Sequence, residues 1–359
     1  MRVLNIQLDG KLPNLALMKI GHWHLSRGDD VEYSRSWKRD LFDVRPDRVY
    51  ISSIFKFSQV RLMQAMHAFP DAIVGGTGTP FTRTVEEMIG ANDNEYEHYD
   101  YSGYKDFKWS IGYTQRGCRM AGPRSVCRNF CVVPTKEGFV KPLNSIERIW
   151  RGGKHPRKIH ILDNDFFGNP EWRERISEIR DGDFRVCLSQ GINVRLINAE
   201  AAKALTTIQY RNGDFNERQL YTAWDNFGDE KVFFKGVQLL ADAGIPGKHL
   251  MAYMLIGCDP AETWDRIWYR FTKMVEREIL PYPMVFNRTP ELLCFQRWCN
   301  SGLYRRYSWG DYIRETKSAA SVEAWKPYAD RLAIALPRSA VAARRFHAEP
   351  QALDTHELP

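Results

Sequence analysis

Three cysteines lie close together in the chain and are the residues most able to do chemistry as a group. Cys118, Cys127 and Cys131 fall within one short segment that contains no histidine. Thiolates bind soft metal ions and iron–sulfur clusters. Three thiols can hold three irons of a cubane [4Fe–4S] cluster and leave the fourth iron open to a substrate or cofactor. A cluster that only carries electrons normally has four cysteine ligands.

Basic residues surround these cysteines and glycines separate them. The basic residues are Arg116, Arg119, Arg124, Arg128 and Lys136. Nearby positive charge lowers the pKa of a thiol, so we expect the cysteines to ionise readily. Gly117 and Gly122 give the backbone the freedom to wrap around a compact ligand.

Length and composition restrict the class of protein. The chain has 359 residues and seven cysteines, an odd number, and its first residues, MRVLNIQLDG, lack the apolar region of a signal peptide. These features predict reduced thiols and a cytoplasmic location. No run of apolar residues is long enough to span a membrane. The net charge of +7 is spread along the chain, which permits an anionic ligand but does not indicate nucleic-acid binding.

Strand-like and helix-like segments alternate along most of the chain, which predicts an α/β fold with parallel sheets. Residues 1–90 are predicted to form a doubly wound sheet, and the polar, aromatic residues 91–110 a connector whose rings pack against a surface. The β/α units of residues 111–290 favour a full or partial (β/α) barrel. Helical segments predict a C-terminal extension over 291–340, followed by a disordered tail over 341–359.

Several segments together resemble a known family. YTQRGC at 113–118 and the later FCVVPTKEG resemble the cluster-binding loop of radical S-adenosylmethionine proteins, in particular bacterial and phage members with an N-terminal Rossmann-like, cobalamin-binding-like domain. HILDNDFFGNP, LSQGINVRLINAEAAKAL, LYTAWDNFGDE, KHLMAYMLIGCDPAETWDRI and PYPMVFNRTP resemble the later barrel strands in order. The commonest cysteine spacing of that family is C-x3-C-x2-C, whereas this chain has C-x8-C-x3-C.

The resemblance implies an activity and a set of contacts. The open iron would bind S-adenosylmethionine, and one electron from the cluster would cleave the cofactor to a 5′-deoxyadenosyl radical. The implied metal ligands are Cys118, Cys127 and Cys131. The implied cofactor contacts are Asp163, Asn164, Asp165, Asn193, Arg195, Asp225, Ile256 and Gly257, which follow predicted strands toward the mouth of a barrel. A reducing partner such as flavodoxin or ferredoxin is implied as well, and no motif specifies the substrate.

Other interpretations of the same residues stay open. The cysteines could hold a structural zinc ion in a nucleic-acid-binding protein, although zinc needs a fourth ligand. The fold could also serve as a non-catalytic scaffold that binds a cluster. Bound cobalamin is not expected, because the motif D-x-H-x-x-G is absent after Asp9. Asp163 and Asp165 could act as paired carboxylates or simply line a polar loop.

The remaining cysteines and one glycine-rich segment have simpler interpretations. Cys187, Cys258, Cys294 and Cys299 are expected to pack in the core as small apolar residues. GGTGTP at 75–80 matches neither the GxxxxGK[ST] nor the GxGxxG phosphate-binding pattern, so it is predicted to be a turn after a strand.

Overall fold

The structure is a computed structural model, and it describes residues 1–38, 44–81, 83–90 and 97–316. Short apolar runs of the sequence form its strands, and amphipathic runs form its helices. The chain divides into two compact units. The first unit comprises residues 1–190 with 213–215, and the second comprises 191–212 and the chain from 216 onward. These bounds differ from the predicted domains, which remain predictions. The tail over 341–359 and part of the extension over 291–340 lie outside the described residues.

The first unit contains most of the strands. Its strands are β1 (Arg2–Gln7), β2 (Asp30–Ser34), β3 (Arg48–Ser52), β4 (Ile73–Gly75), β5 (Ser110–Gly112), β6 (Gln115–Arg116), β7 (Lys141–Pro142), β8 (Lys158–Ile161) and β9 (Arg185–Cys187). Its helices are α1 (Leu15–Leu25), α2 (Gln59–Ala68), α3 (Val85–Ile89), α4 (Val133–Lys136), α5 (Ile146–Ile149) and α6 (Trp172–Asp181).

The first sheet is parallel, in the order β2-β1-β3-β4. The central strand β1 is buried from Val3 to Gln7, as expected where helices cover both faces of a parallel sheet. Leu4 and Ile6 pack with Leu62 of α2 on one face. Val3 packs with Leu17 of α1 on the other face. The turn predicted at GGTGTP is confirmed, because Gly76 follows β4 and its carbonyl accepts a hydrogen bond from the Thr79 N–H at 3.2 Å.

The aromatic connector packs against this unit, as the sequence predicts. Tyr99, Tyr101, Tyr104 and Phe107 lie against a buried cluster formed by Leu15, Met18 and Ile111. The Tyr104 hydroxyl donates to Gln7 Oε1 at 2.9 Å and accepts from the Asn14 N–H at 3.2 Å. The described part of the connector, residues 97–110, therefore packs into the core of the first unit.

A second parallel sheet in the first unit includes β5, β8 and β9. Ile111 of β5 pairs with His160 of β8, which pairs with Cys187 of β9. The segment 163–165 follows the carboxyl end of β8. Parallel strands place such following segments at one edge of a sheet, which is where sites in α/β proteins form.

The second unit has its own parallel strands. Its strands are β10 (Gln209–Tyr210), β11 (Leu220–Ala223), β12 (Leu250–Ile256) and β13 (Leu280–Val285), and its helices are α7 (Ala199–Thr206), α8 (Glu230–Asp242), α9 (Trp264–Val275), α10 (Pro290–Asn300) and α11 (Trp309–Thr316). β12 lies between β11 and β13 and is parallel to both. Its residues alternate between buried and half-buried, with Ala252, Met254 and Ile256 buried.

The structure corrects one predicted strand. Val194–Leu196 forms a 3-10 turn, in which the Leu196 N–H donates to the Asn193 carbonyl at 2.9 Å. The local i to i+3 hydrogen bond takes the place of a strand pairing, so two apolar residues on either side of Arg195 did not define a strand. The mixed α/β class with parallel sheets is confirmed. None of the helices in the described ranges is long and apolar enough to span a bilayer.

Candidate functional site

The three clustered cysteines lie on one closed loop of the first unit. The antiparallel pair β6–β7 joins Arg116 to Lys141 and Gln115 to Pro142, so residues 117–140 begin and end at the same place. The pairing makes this loop a fixed element rather than a free connection. We call residues 117–140 the cysteine loop.

Backbone hydrogen bonds within the cysteine loop hold the thiols in a folded arrangement. The Cys118 N–H donates to the Gly138 carbonyl at 3.1 Å, and the Cys131 N–H donates to the Cys127 carbonyl at 2.7 Å. Cys127 is buried, whereas Cys118 and Cys131 are half-buried, and all three thiols are free of disulfides. The loop thus presents three partly shielded sulfurs near its interior.

Glu137 anchors one end of the cysteine loop. Its Oε2 accepts from Gly117 N at 3.0 Å, from Arg116 Nε at 3.2 Å and from Asn164 Nδ2 at 3.1 Å. Its Oε1 lies 3.0 Å from Arg116 NH2. The sequence prediction did not assign a role to Glu137, although it is the first acidic residue after Cys118, which would have been the signal. It also gives the predicted cofactor contact Asn164 a structural partner.

Asp165 also anchors the beginning of the cysteine loop, at Arg119. Its side chain is fully buried, and Oδ2 accepts from Arg119 N at 3.1 Å and from Arg119 Nε at 2.7 Å, while Oδ1 accepts from Arg119 NH2 at 2.8 Å. This bidentate pair fixes both the backbone and the side chain of the residue after Cys118. Asp165 as a cofactor contact stays a prediction, because the carboxylate is already engaged with Arg119.

The predicted lowering of thiol pKa values by basic residues is wrong for Cys118. Burial raises the pKa of the Cys118 thiol to about 11, and the nearby Asp165, Cys127 and Cys131 raise it further, against a hydrogen bond from Met120 N that lowers it. The expectation failed because Arg116 pairs with Glu137 and Arg119 pairs with Asp165. The flanking arginines Arg116 and Arg119 therefore hold the loop, and their charges do not outweigh the burial of the Cys118 thiol.

Asp163 lies beneath the loop and is fully enclosed. Its Oδ1 accepts from Thr114 N at 2.8 Å and from Gln115 N at 3.3 Å, and its Oδ2 accepts from the Thr114 hydroxyl. Burial raises the pKa of Asp163 to about 7, although the three hydrogen bonds act to lower it. Both polar atoms of the adjacent Gln115 side chain are buried and have no hydrogen-bond partner. Ligand binding is one common reason for such an unsatisfied amide.

Replacing Asp163 by asparagine is expected to remove a pH dependence of stability. The unfolded carboxyl ionises near pH 4, whereas the native one keeps its proton up to about pH 7. The native state therefore binds more protons in this range, and stability falls as pH rises by at most about 1.4 kcal/mol per pH unit. Urea unfolding of the metal-free protein at several pH values measures the slope. The exposed Asp181→Asn variant should keep the slope of stability against pH. If the Asp163→Asn variant showed the same slope as the unchanged protein, Asp163 would not be the group responsible for it.

Gly117 is required by the shape of the loop. Its φ is +84°, and a Cβ at this position would lie 2.2 Å from the Phe139 carbonyl oxygen. Gly117→Ala is expected to lower the free energy of unfolding by about 1–3 kcal/mol, since both the backbone and the close approach are strained. Gly122→Ala is the matched control, because no atom lies within 4 Å of the added methyl. Thermal unfolding of both variants tests this, and equal midpoints would contradict it.

Lys136 attaches the cysteine loop to the first sheet. Its Nζ donates to the carbonyls of Gly76 at 3.1 Å, Thr79 at 3.0 Å and Phe81 at 3.3 Å. These carbonyls belong to the turn after β4. One lysine of α4 thus binds the turn that the sequence predicted after β4, which gives that turn a role within the fold.

The other predicted cofactor contacts lie in the second unit. Arg195 NH1 donates to Asp229 Oδ2 at 2.9 Å, and Arg195 Nε lies 3.4 Å from Asn193 Oδ1. Asp225 accepts from Leu255 N at 3.0 Å, and burial raises its pKa. These predicted contacts are thus engaged with neighbours in their own unit, and their roles toward a cofactor stay predictions.

A buried ion pair positions the strand ends of the second unit. Arg270, which is fully buried, donates to the carbonyls of Trp224 at 3.0 Å, Asp225 at 2.9 Å and Leu255 at 3.0 Å, and it pairs with Glu262. Glu262 Oε2 accepts from Gly257 N at 2.6 Å. The sequence prediction missed this pair, since nothing in the local pattern of α9 distinguishes Arg270 from a solvated arginine.

A cavity of about 550 Å³ adjoins Gly257. Its lining includes Gly257, Cys258, Glu262, Trp264, Asn287 and Leu292. Gly257 has a φ of +73°, so the chain turns away sharply at the end of β12. The predicted contacts Ile256 and Gly257 therefore differ: Ile256 is buried in the sheet, while Gly257 borders the cavity.

The cysteines outside the loop are placed mostly as predicted. Cys187, Cys294 and Cys299 are buried, which confirms their core packing. Cys258 is half-buried and lines the cavity, so the prediction of a core position is wrong for it. The reason is that β12 ends at Ile256, two residues before Cys258.

A single metal ion and a cubane cluster need different arrangements of the side chains that bind them. Within the described ranges, no three His, Cys, Asp or Glu side chains converge as a single bound ion requires. A tetrahedral zinc site needs its sulfurs about 2.3 Å from one ion. A cubane cluster instead takes each cysteine on a different iron, so its sulfurs are spread around a larger body. The cysteine loop carries three thiols. Their number and chemical type fit the ligands of a cubane cluster.

Comparison of the chain with protein-family models, with curated proteins and with solved structures finds no match.

Proposed function

We propose that the protein is a radical S-adenosylmethionine enzyme whose [4Fe–4S] cluster is held by Cys118, Cys127 and Cys131. The observation that carries this proposal is the cysteine loop: three thiols outside disulfides on one closed loop, with no histidine in it and with its beginning held by Glu137 and by the buried Asp165. Such a loop offers a cluster three protein ligands and leaves one iron for another molecule.

When bound, the cluster supplies the electron that cleaves S-adenosylmethionine to a 5′-deoxyadenosyl radical. The chain's own residues have supporting tasks. Glu137 and Asp165 keep the loop in place through Arg116 and Arg119. The raised pKa of Cys118 means that ligation releases a proton from this thiol, so assembly is favoured at higher pH.

We also propose the finer architecture. The parallel order β2-β1-β3-β4 supports a Rossmann-like N-terminal domain. The alternation of strands and helices along residues 111–290 supports a partial (β/α) barrel. In this arrangement Asp163, Asn164, Asp165, Asn193, Arg195 and Asp225 are the proposed polar contacts of S-adenosylmethionine. Adenine would lie against Ile256 and Gly257, and the cavity beside Gly257 supports space for a ring there.

Anaerobic purification with reconstitution tests the proposal. We expect about four irons and four sulfides per chain, and an electron paramagnetic resonance spectrum of the reduced cluster that changes on addition of S-adenosylmethionine. Release of 5′-deoxyadenosine after reduction separates an enzyme from a non-catalytic scaffold. A preparation that binds zinc in preference to iron, or a cluster whose spectrum ignores S-adenosylmethionine, would overturn the proposal.

A further inference from the structure

The cavity beside Gly257 is lined by two segments of the second unit. The first follows β12 and leads into α9, from Gly257 to Ile267. The second follows β13 and leads into α10, from Asn287 to Leu292. The volume of about 550 Å³ falls within the range of pockets that hold whole small molecules. The cavity therefore has room for a ligand larger than a single ring.

The charged side chains in the described lining of the cavity are all acidic. They are Asp259, Glu262 and Glu291, and the lining contains no lysine, arginine or histidine among the described residues. The chain as a whole carries a net charge of +7, so the lining has the opposite sign. These side chains repel an anionic ligand such as phosphate and attract a cation.

The three carboxylates differ in how far the fold already uses them. Glu262 pairs with the buried Arg270, so its charge is balanced inside the unit. Asp259 lies 3.9 Å from Arg266, and water screens this pair because both side chains are exposed. Glu291 is half-buried and has no hydrogen bond or ion pair to any described residue. Glu291 is therefore the carboxylate that is available to a ligand.

The Cys258 thiol responds to the same negative charge. Burial raises the pKa of this thiol, and the carboxylates of Glu262, Asp259 and Asp225 raise it further. Negative charge around a thiol keeps it protonated, because it disfavours the thiolate. The field that acts on Cys258 thus agrees in sign with the acidic lining.

Apolar side chains complete the lining. They include Trp264, Ile267 and Leu292, of which Ile267 and Leu292 are buried. A tryptophan ring attracts a cation placed over its face. A bare metal ion gains nothing from aliphatic walls, and in the part of the chain that the structure describes no three His, Cys, Asp or Glu side chains converge as such an ion requires. The lining therefore fits a cation that carries an apolar body.

We propose that the cavity binds an organic cation, whose protonated primary amine pairs with Glu291 and whose apolar body lies against Trp264 and Leu292. In the proposed enzyme this cation is the substrate, and that assignment of substrate class rests on the proposed function. Gly257 contributes no side chain to the lining. Adenine beside Gly257 and an amine beside Glu291 therefore use different lining residues.

Glu291 also has a structural role that binds no ligand, and a matched variant separates the two. It lies in the first turn of α10, where an acidic side chain stabilises the helix through its dipole. Glu174 is an exposed acidic residue in the first turn of α6 and serves as the control. Glu291→Gln and Glu174→Gln should affect helix stability alike, but only Glu291→Gln should weaken the binding of an amine.

Binding of phenethylamine to the metal-free full chain tests the proposal. Phenethyl alcohol and hydrocinnamate are its neutral and anionic counterparts of similar shape. By titration followed with ligand-observed nuclear magnetic resonance, we expect phenethylamine to bind about tenfold more tightly than either counterpart. Glu291→Gln should remove most of this preference, and Glu174→Gln should keep it. Absence of saturable phenethylamine binding, equal binding of the three probes, or equal behaviour of the two variants would overturn the proposal.

Chemical labelling of Cys258 measures the charge of the cavity directly. Trimethylammonioethyl and sulfonatoethyl methanethiosulfonate are cationic and anionic reagents for thiols. The ratio of their rates at one cysteine, divided by the ratio for a free thiol in solution, does not depend on the pKa of that cysteine. We expect this ratio to favour the cationic reagent about tenfold more at Cys258 than at Cys131, which has Arg128 nearby in sequence. A ratio at Cys258 no higher than at Cys131 would contradict the acidic cavity.

Both measurements use metal-free protein, so their outcome does not depend on the cluster. A chain that binds phenethylamine through Glu291 but assembles no cluster would refute the proposed function and support the amine site. A chain that cleaves S-adenosylmethionine but shows no preference for the cationic probe would refute the amine site alone.

Discussion

Replacing Cys131 by alanine is expected to abolish cluster binding without unfolding the protein. The cysteine loop would keep only two thiols, and iron after anaerobic reconstitution should fall from about four to below one per chain. Cys131 is half-buried, so its loss leaves little empty space in the core. Iron and sulfide analysis, with circular dichroism to confirm the fold, measures this effect.

Cys258→Ser is the control for that experiment. Cys258 is also half-buried and also outside any disulfide, but it lies in the second unit beside the cavity. The control should retain full iron and sulfide content, because the proposed ligands are untouched. A Cys131→Ala protein with an intact cluster would refute the assignment of the three ligands. Removing one of the three cysteines is expected to prevent cluster binding and not merely to lower the iron content in part.

Replacing Asp165 by alanine is expected to produce the largest loss of stability in the candidate site. The change removes a fully buried carboxylate that accepts three hydrogen bonds from Arg119, two of them from the guanidinium. Breaking a charged, hydrogen-bonded pair of this kind costs about 3 kcal/mol. Urea unfolding of the metal-free protein measures the change, and reconstitution should then yield less iron because Cys118 adjoins Arg119.

Asp181→Ala provides the matched control for Asp165→Ala. Asp181 also pairs with an arginine, Arg180, at 2.8 Å, but both side chains are exposed. Solvent screens such a pair, so the control should unfold at the same urea concentration as the unchanged protein. If Asp165→Ala and Asp181→Ala behaved alike, the anchoring role of Asp165 would be refuted.

The positions of several strands along the chain could be predicted from the sequence. Arg48–Ser52, Lys158–Ile161 and Leu250–Ile256 form where apolar or β-branched runs end at turns, because a buried parallel strand needs such a run. Val194–Leu196 was predicted wrongly because a three-residue segment with only two apolar residues is too short to exclude a 3-10 turn. Even the packing of the aromatic connector followed from the number of rings it carries, since rings such as Tyr104 need apolar contacts.

The electrostatics of the candidate site were harder to predict. Basic residues beside the cysteines indicated lowered thiol pKa values, yet burial raises the pKa of Cys118 to about 11. Arg119 finds its carboxylate partner 46 residues away, at Asp165. Sequence neighbours reveal which charges are present, but the sign and size of a pKa shift depend on burial and on pairings made through the fold.

The sequence by itself determined the identity and order of the three thiols, the glycine at position 117, the apolar runs that become strands, and the absence of acidic residues from 118 to 136. Only the tertiary structure decided that Glu137 and Asp165 hold the cysteine loop and that Lys136 fixes it to the turn after β4. The physical reason is the separation along the chain of the residues that interact. Spacing and hydropathy act between residues near in sequence, whereas ion pairing, desolvation and surface composition depend on contacts that form only after distant segments have packed together.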